Sequence, residues 1–406
     1  MPQEIQHEFD HARRTGFGPG APVRRLHARA PVNRVAVAPG PNVSADGPPV
    51  WLVTGYEEVR RVLADHARFS TRLQFGVGPS DEKSDLARPR ETVGHLTGYD
   101  PPEHTRLRKM LTPEFTARRI QRLAPPVEEV VRELLDDMED VGQPADLVEM
   151  YARPIAGAAL CELIGVPLDD RPDFVRRVQR QMEPGLTPRQ RADARDSYTG
   201  YLGALVRRRR KDPDEGFIGT LVREHGDEFT DEELRGACTL MFAAGLDNVS
   251  GMISLGVLVL LRHPDQLAGL LENPSSADRV IDELLRYLSV VHAPTPRVAL
   301  EDVTVGGQLV KAGEQVVCSI PMANRDPALA PDADRFDSTR APVPHLAFGH
   351  GIHYCIGAAM ARLELRIAYL ALWHRFPGLR LAVPPDEVAF RHNAVAHGLE
   401  ALPVAW

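Results

Sequence analysis

The chain has 406 residues and a formal net charge of −8, with 43% hydrophobic and 26% charged residues. Such values belong to a globular protein with a large core, and the acidic balance argues against a nucleic-acid partner. Four cysteines, at positions 161, 238, 318 and 355, form no close pair and no Cys-x-x-Cys, which speaks against a disulfide framework and a cysteine-rich zinc site. Residues 1–14 are polar and charged, and the longest apolar helix candidate is interrupted at Asp247-Asn248, so no run reaches the roughly 20 apolar residues of a membrane span. A cytoplasmic protein with no membrane partner is expected.

In chain order, Val32, Val35 and Val37 and then Val50, Leu52 and Val53 predict two short strands around a Pro/Gly/Asn turn cluster. A helix over 56–65 follows. Residues 71–98 hold no sustained period, and a loop that long in a compact domain is functional, disordered or both. Asp100-Pro101-Pro102-Glu103-His104 opens a helix with prolines in its first turn. His104 and Arg108 then share one face, which on spacing alone is a solvated polar surface. Residues 120–225 read as successive helices broken at prolines and glycines, with the basic run 207–211 at a helix C-terminus, where cations are favoured.

Thr230 and Glu233 form a capping box that opens a helix reaching about Arg262. A helix so long and apolar must cross the middle of the molecule. Its centre reads Ala243-Ala244-Gly245-Leu246-Asp247-Asn248-Val249-Ser250-Gly251. Buried polar groups there are costly unless satisfied, so Asp247 and Asn248 mark a function, a capping water or a local kink. Glu283 and Arg286 lie at i and i+3, which on spacing alone is a surface ion pair. Val303 and Val305, Gly306-Gly307 and Val310 predict a hairpin, followed by a strand over 315–320. Strand-like pieces at 379–381 and 399–404 end the chain.

The stretch with the densest chemistry is Phe348-Gly349-His350-Gly351-Ile352-His353-Tyr354-Cys355-Ile356-Gly357. Glycines at 349, 351 and 357 allow the backbone to bend and approach another group closely. Apolar residues at 356, 360, 363, 367 and 370 predict a core-facing helix after it. A cysteine at a helix start meets the positive end of the dipole, which favours thiolate. It is a buried structural cysteine, a nucleophile or a metal ligand. The spacing of His350, His353 and Cys355 does not fit the usual zinc sites.

The pattern Phe-Gly-x-Gly-x-His-x-Cys-x-Gly, with Ala361-Arg362-x-Glu364 after it, resembles the haem-binding loop of cytochrome P-450. Other family phrases occur in order between residues 100 and 364. The resemblance implies a mostly α fold with small β-sheets, as one domain over 1–406. It implies haem b, with Cys355 as the thiolate ligand of iron, the ligand type that favours O–O cleavage. His104, Arg108, Arg297, His345 and His353 are implied around the haem propionates, and Phe348 and Gly357 within the cofactor loop. Glu283, Arg286 and Arg335 are implied as a structural network holding that loop.

Ala-Gly-x-Asp/Glu-Thr of the oxygen-binding groove matches Ala244, Gly245 and Asp247, but Asn248 replaces the threonine. An amide relays protons poorly, so Asn248 is expected to position a water, or a substrate hydroxyl to complete the relay, with Asp247 the link to solvent. Substrate-pocket candidates are Leu73, Phe75, Ala244, Val291, His292 and Asn393, with 71–98 and 182–188 as mobile access segments. The expected reaction is hydroxylation or epoxidation of a medium-to-large natural product by dioxygen, with electrons from a ferredoxin docking on Lys109, Arg118, Arg119 and Arg362. Oxidative coupling is the second reading, which the missing threonine favours. A haem sensor or carrier without turnover is the third.

Overall fold

The computed structural model describes residues 6–9, 16–37, 48–72, 93–183, 186–291, 295–391 and 396–406. Its organising element is the helix Asp231–Leu261, about 46 Å long at 1.5 Å per residue. The predicted capping box starts it: the Glu233 N–H donates to Thr230 Oγ1 at 3.1 Å, and the Thr230 N–H donates to Glu233 Oε2 at 3.0 Å. The helix is long and apolar enough to cross a membrane, but most of its apolar stretch is buried inside the molecule. Helices Arg153–Ile164, Pro188–Lys211, Ala277–Leu288 and Ala358–Arg375 pack around it. One close approach depends on Gly256, where a Cβ would collide with the Tyr369 hydroxyl. That hydroxyl donates to the Met252 carbonyl at 2.5 Å, tying the two helices together.

A six-stranded sheet lies to one side. Its strands are β1 (Gln6–Phe9), β2 (Val32–Val37), β3 (Val50–Val53), β4 (Phe69–Ser70), β5 (Thr295–Ala299) and β8 (Gln315–Cys318), in the order β1-β2-β3-β8-β5-β4. Between β5 and β8 the hairpin β6 (Val303–Val305) and β7 (Gln308–Val310) turns on Gly306 and Gly307, both at positive φ. Helix Tyr56–Ala64 packs Val59 and Val62 against Val32, Trp51 and Val53, giving the sheet its own core. The expected strands near the C-terminus pair as Arg380–Leu381 with Pro403–Ala405.

Several expectations change. Pro101 and Pro102 precede the helix Glu103–Leu111, with Pro102 as its N-cap. The basic run does close a helix, Pro188–Lys211, as expected, and its charges are paired: Arg208 with Asp170, Arg209 with Asp214 and Arg210 with Asp231. In Ala358–Arg375 the apolar stripe through Leu363, Ile367 and Leu370 is only partly buried. The fully buried face carries Met360, Glu364, Leu365, Ala368 and Tyr369, because the central helix covers that side.

Glu283 and Arg286 are buried, not a surface pair. Arg286 Nε and Nη2 donate to the two Glu283 carboxylate oxygens, both at 2.7 Å. Its remaining N–H groups reach the carbonyls of Asn324, Ala333 and Arg335. Arg335 therefore enters the network through its backbone, while its side chain is exposed. The second arginine is Arg340, whose Nε donates to Glu283 Oε1 at 3.2 Å.

Candidate active site

The cysteine loop is shaped by two left-handed residues. Gly349 and Gly351 both have φ of 72°, and a Cβ on Gly351 would stand 2.5 Å from the Leu63 carbonyl. Only glycine fits both demands at 351. The Cys355 N–H donates to the Phe348 carbonyl at 2.8 Å, and that of Tyr354 to Gly351 at 3.0 Å. Gly357 is the N-cap of the following helix, so Cys355 sits two residues before it. Burial pushes the Cys355 thiol up, while the Gly357 N–H and the Arg108 and Arg362 guanidinium groups pull it back. Binding to a metal would overcome the remainder, since a ligating thiol is deprotonated.

Cys355 opens onto an internal cavity of about 380 Å³. Its apolar wall includes Phe115, Leu160, Leu163, Leu240, Met241 and Val249. Ala244 and Val291, two expected pocket residues, also line it. Leu73, Phe75, His292 and Asn393 lie outside the described residues, as do 73–92 and 184–185 of the two expected access segments. Gly94, Leu96 and Thr97 at the end of the first segment do reach the cavity.

One part of the cavity wall gathers cations and donors. Arg108, Arg297 and His353 line it, with the His104 ring tilted at 60° against that of His353, 4.4 Å between ring centroids. Arg108 donates to the Tyr354 carbonyl at 2.8 Å, and Arg297 to the Pro296 carbonyl at 2.8 Å. Among the described residues no carboxylate pairs with either arginine. The Nε2 atoms of His104 and His353 are buried without a hydrogen-bond partner. Burial and the adjacent His104 and Arg297 hold His353 down to about 3. Buried cations and orphaned donors are costly, so this corner is built for an anion. His345 does not join it: its Nε2 lies 3.7 Å from Asp282, and its Nδ1 accepts the Ala347 N–H.

Across the cavity, Asn248 Nδ2 donates to the Ala244 carbonyl at 2.7 Å. Asn248 lines the cavity and Asp247 does not. Asp247 turns to Arg391, with its carboxylate 3.2 Å from Nη1. The Ser250 hydroxyl donates to the Asp247 carbonyl at 3.3 Å and is buried on another face. Much of the apolar wall and its polar surroundings were not expected from the sequence. Arg391 gave no signal, since nothing links it to residue 247 before folding. Leu240 and Met241 could have been found, one helical turn before Ala244.

The fold and a cysteine-bearing loop over a buried, anion-seeking cavity define a haem-thiolate oxidoreductase. The profile of the family Cytochrome P450 matches residues 275–387. Cytochrome P450 165B3 of Amycolatopsis orientalis is 50% identical over 398 residues, 98% of each chain. Among solved structures, P450 StaH from glycopeptide antibiotic A47934 biosynthesis shares 54% identity at a TM-score of 0.89, covering 98% of this chain and 99% of its own. OxyC, a cytochrome P450 implicated in an oxidative C–C coupling reaction during vancomycin biosynthesis, shares 46% identity at a TM-score of 0.90 over 100% of both chains. The chain belongs to the cytochrome P450 family, and it is an enzyme of secondary metabolism.

The family carries haem on a cysteine thiolate, and the residues here fit it. Cys355 would supply the thiolate, and the unpartnered ring nitrogens of His104 and His353 with Arg108 and Arg297 suit two carboxylates. Members take small-molecule substrates, oxygen and electrons from a redox partner.

Proposed function

We propose that this enzyme joins two oxidisable groups of a peptide-derived natural product by oxidative coupling, and that hydroxylation or epoxidation, the first expectation, is the lesser reading. The observation that supports coupling most is the full-length likeness to OxyC at 46% identity, with StaH placing a 54% identical relative in glycopeptide antibiotic biosynthesis. Phenol-type rings are the proposed reacting groups, because they give up a hydrogen atom readily and join without gaining oxygen. Two hydrogens leave the substrate, and with two electrons and two protons they reduce dioxygen to two waters.

When bound, the haem supplies the activation of dioxygen, helped by electron donation from the thiolate. The protein supplies the rest. Cys355 would hold the iron, with His104, Arg108, Arg297 and His353 on the propionates. The apolar wall would exclude water and hold the substrate. Asn248, with its amide N–H committed to Ala244, would present its carbonyl oxygen as an acceptor for a substrate hydroxyl or a water. Asp247 would connect this point to solvent. Glu283, Arg286 and Arg340 would brace the segment leading to the cysteine loop.

A ferredoxin is the proposed electron donor. Of the expected docking cations, Arg119 is paired with Glu114 and Glu224, and Arg362 with Asp282, which leaves Lys109 and Arg118 as the freer charges. The remaining proposals are one domain over the whole chain and a cytoplasmic setting. The test is product mass after turnover of a peptide carrying two phenol side chains under ¹⁸O-labelled dioxygen. Coupling gives a product two hydrogens lighter with no label. Incorporation of labelled oxygen restores the hydroxylase reading.

A further inference from the structure

We propose that Arg391 is a positioning residue for Asp247, holding the acid in place from the C-terminal segment. The inference rests on the reading of Asp247 as the solvent link for protons. Asp247 and Arg391 are 144 residues apart in sequence and meet at 3.2 Å, each with about one-fifth of its side chain exposed. Arg391 Nε is buried without a hydrogen-bond partner. The guanidinium is therefore aimed at Asp247 and is poorly satisfied elsewhere, an arrangement that persists only when the surroundings impose it.

Those surroundings are specific. A Cβ on Gly398 would stand 2.8 Å from Arg391 Nη2 and 3.0 Å from Nε, so glycine there leaves the room the guanidinium occupies. The Arg391 N–H donates to the Gly398 carbonyl at 2.9 Å, fixing the backbone beside that gap. One turn along the central helix from Asp247, Gly251 receives the His397 carbonyl, which would lie 2.5 Å from a Cβ. The His397 N–H donates to the Val290 carbonyl at 2.7 Å, and Ala396 bridges to Val291. Val290 and Val291 line the cavity. Arg391 is thus fastened through the same backbone to the central helix and to the substrate wall, and its charge ends on Asp247.

A carboxylate that passes protons must be held at a fixed place and still exchange them with water. A partly exposed arginine meets both needs, because it orients the carboxylate without sealing it from solvent. Removing the guanidinium takes away the ion-pair partner that holds the carboxylate. The arginine touches neither the cavity nor the cysteine loop, so its effect would pass through Asp247.

The experiment compares haem-loaded parent, Arg391→Gln, Arg391→Lys, Gly398→Ala and Asp247→Asn, each checked for an intact carbon-monoxide difference spectrum. Without added substrate, dioxygen reduction to hydrogen peroxide consumes two electrons and two protons. Reductant consumption is followed with a surrogate ferredoxin and reductase, in H₂O and D₂O. R391Q is expected to slow consumption at least threefold and to raise the solvent isotope effect, as D247N does. R391K should stay within twofold of parent, and G398A, which crowds the guanidinium, should share the defect. A second readout is independent of turnover: thermal unfolding of the single and double 247/391 variants should be non-additive. Parental behaviour of R391Q alongside an altered D247N, or additive unfolding shifts, overturns the role of Arg391. A parental D247N overturns the reading of Asp247 itself.

Discussion

Asn248 occupies the place of a hydroxyl residue and keeps one of its duties. Its amide N–H satisfies the Ala244 carbonyl one turn back, a back-bond of the kind Ser and Thr also make inside helices. What it does not keep is a group that donates and accepts through one rotating proton. Asn248→Ala should leave the fold nearly intact, since the side chain lines a cavity and is not packed in the core. With a substrate whose coupling product can be measured, it should lower product severalfold relative to hydrogen peroxide released. Unchanged partition would remove Asn248 from the chemistry. Of the residues that the family resemblance put around a haem, His104, Arg108, Arg297 and His353 do gather at one part of the cavity wall. His345 was misassigned, because its neighbour in space is Asp282, 63 positions earlier.

Helix Ala277–Leu288 shows how an element is held when its polar face is buried. Arg286 is completely buried and makes bonds to Glu283 and to three carbonyls of the 324–335 segment. That segment leads toward the cysteine loop, and the Leu346 N–H donates to the Asn324 side chain at 2.7 Å. Glu283→Gln removes the negative charge that balances Arg286 and Arg340. The expected loss is about 3 kcal/mol of stability, near the lower end for breaking a buried pair, measured as a lower denaturant midpoint at unchanged slope. Haem retention should fall with it, because the loop loses its brace. The spacing showed the pair but not its burial, and the family resemblance pointed to Arg335 when the Arg340 side chain makes the contact. Nothing in a one-dimensional pattern distinguishes two arginines five residues apart once the chain between them turns freely.

At the scale of the whole molecule, one buried acid should shape stability against pH. Glu364 is buried on the cavity side of the cysteine helix, one carboxylate oxygen lacks a partner, and burial raises its carboxyl well above the usual carboxylate range. The folded protein therefore keeps this proton where the unfolded chain releases it. Its contribution favours folding least as pH rises above the unfolded carboxylate value of about 4.5. Glu364→Gln cannot ionise in either state. The variant should gain on the parent between pH 5 and 8, by up to about 1.4 kcal/mol per pH unit while the folded acid stays neutral. Parallel stability curves across that range would show that Glu364 ionises in the folded protein.

Local chemistry was readable from the sequence alone. The glycines and cysteine of 348–357, the capping box at Thr230 and Glu233, and the strand alternation all act over a few residues, where backbone sterics and hydrogen bonding decide the outcome. The same holds for the anomaly at Asn248. Tertiary structure decided which polar residues meet. It put Arg340 on Glu283, Arg391 on Asp247 and His345 on Asp282, and it buried Glu364 where the helical period suggested a neighbouring face. These contacts join residues far apart in sequence, and their energies depend on a desolvation that exists only once the core has closed around them.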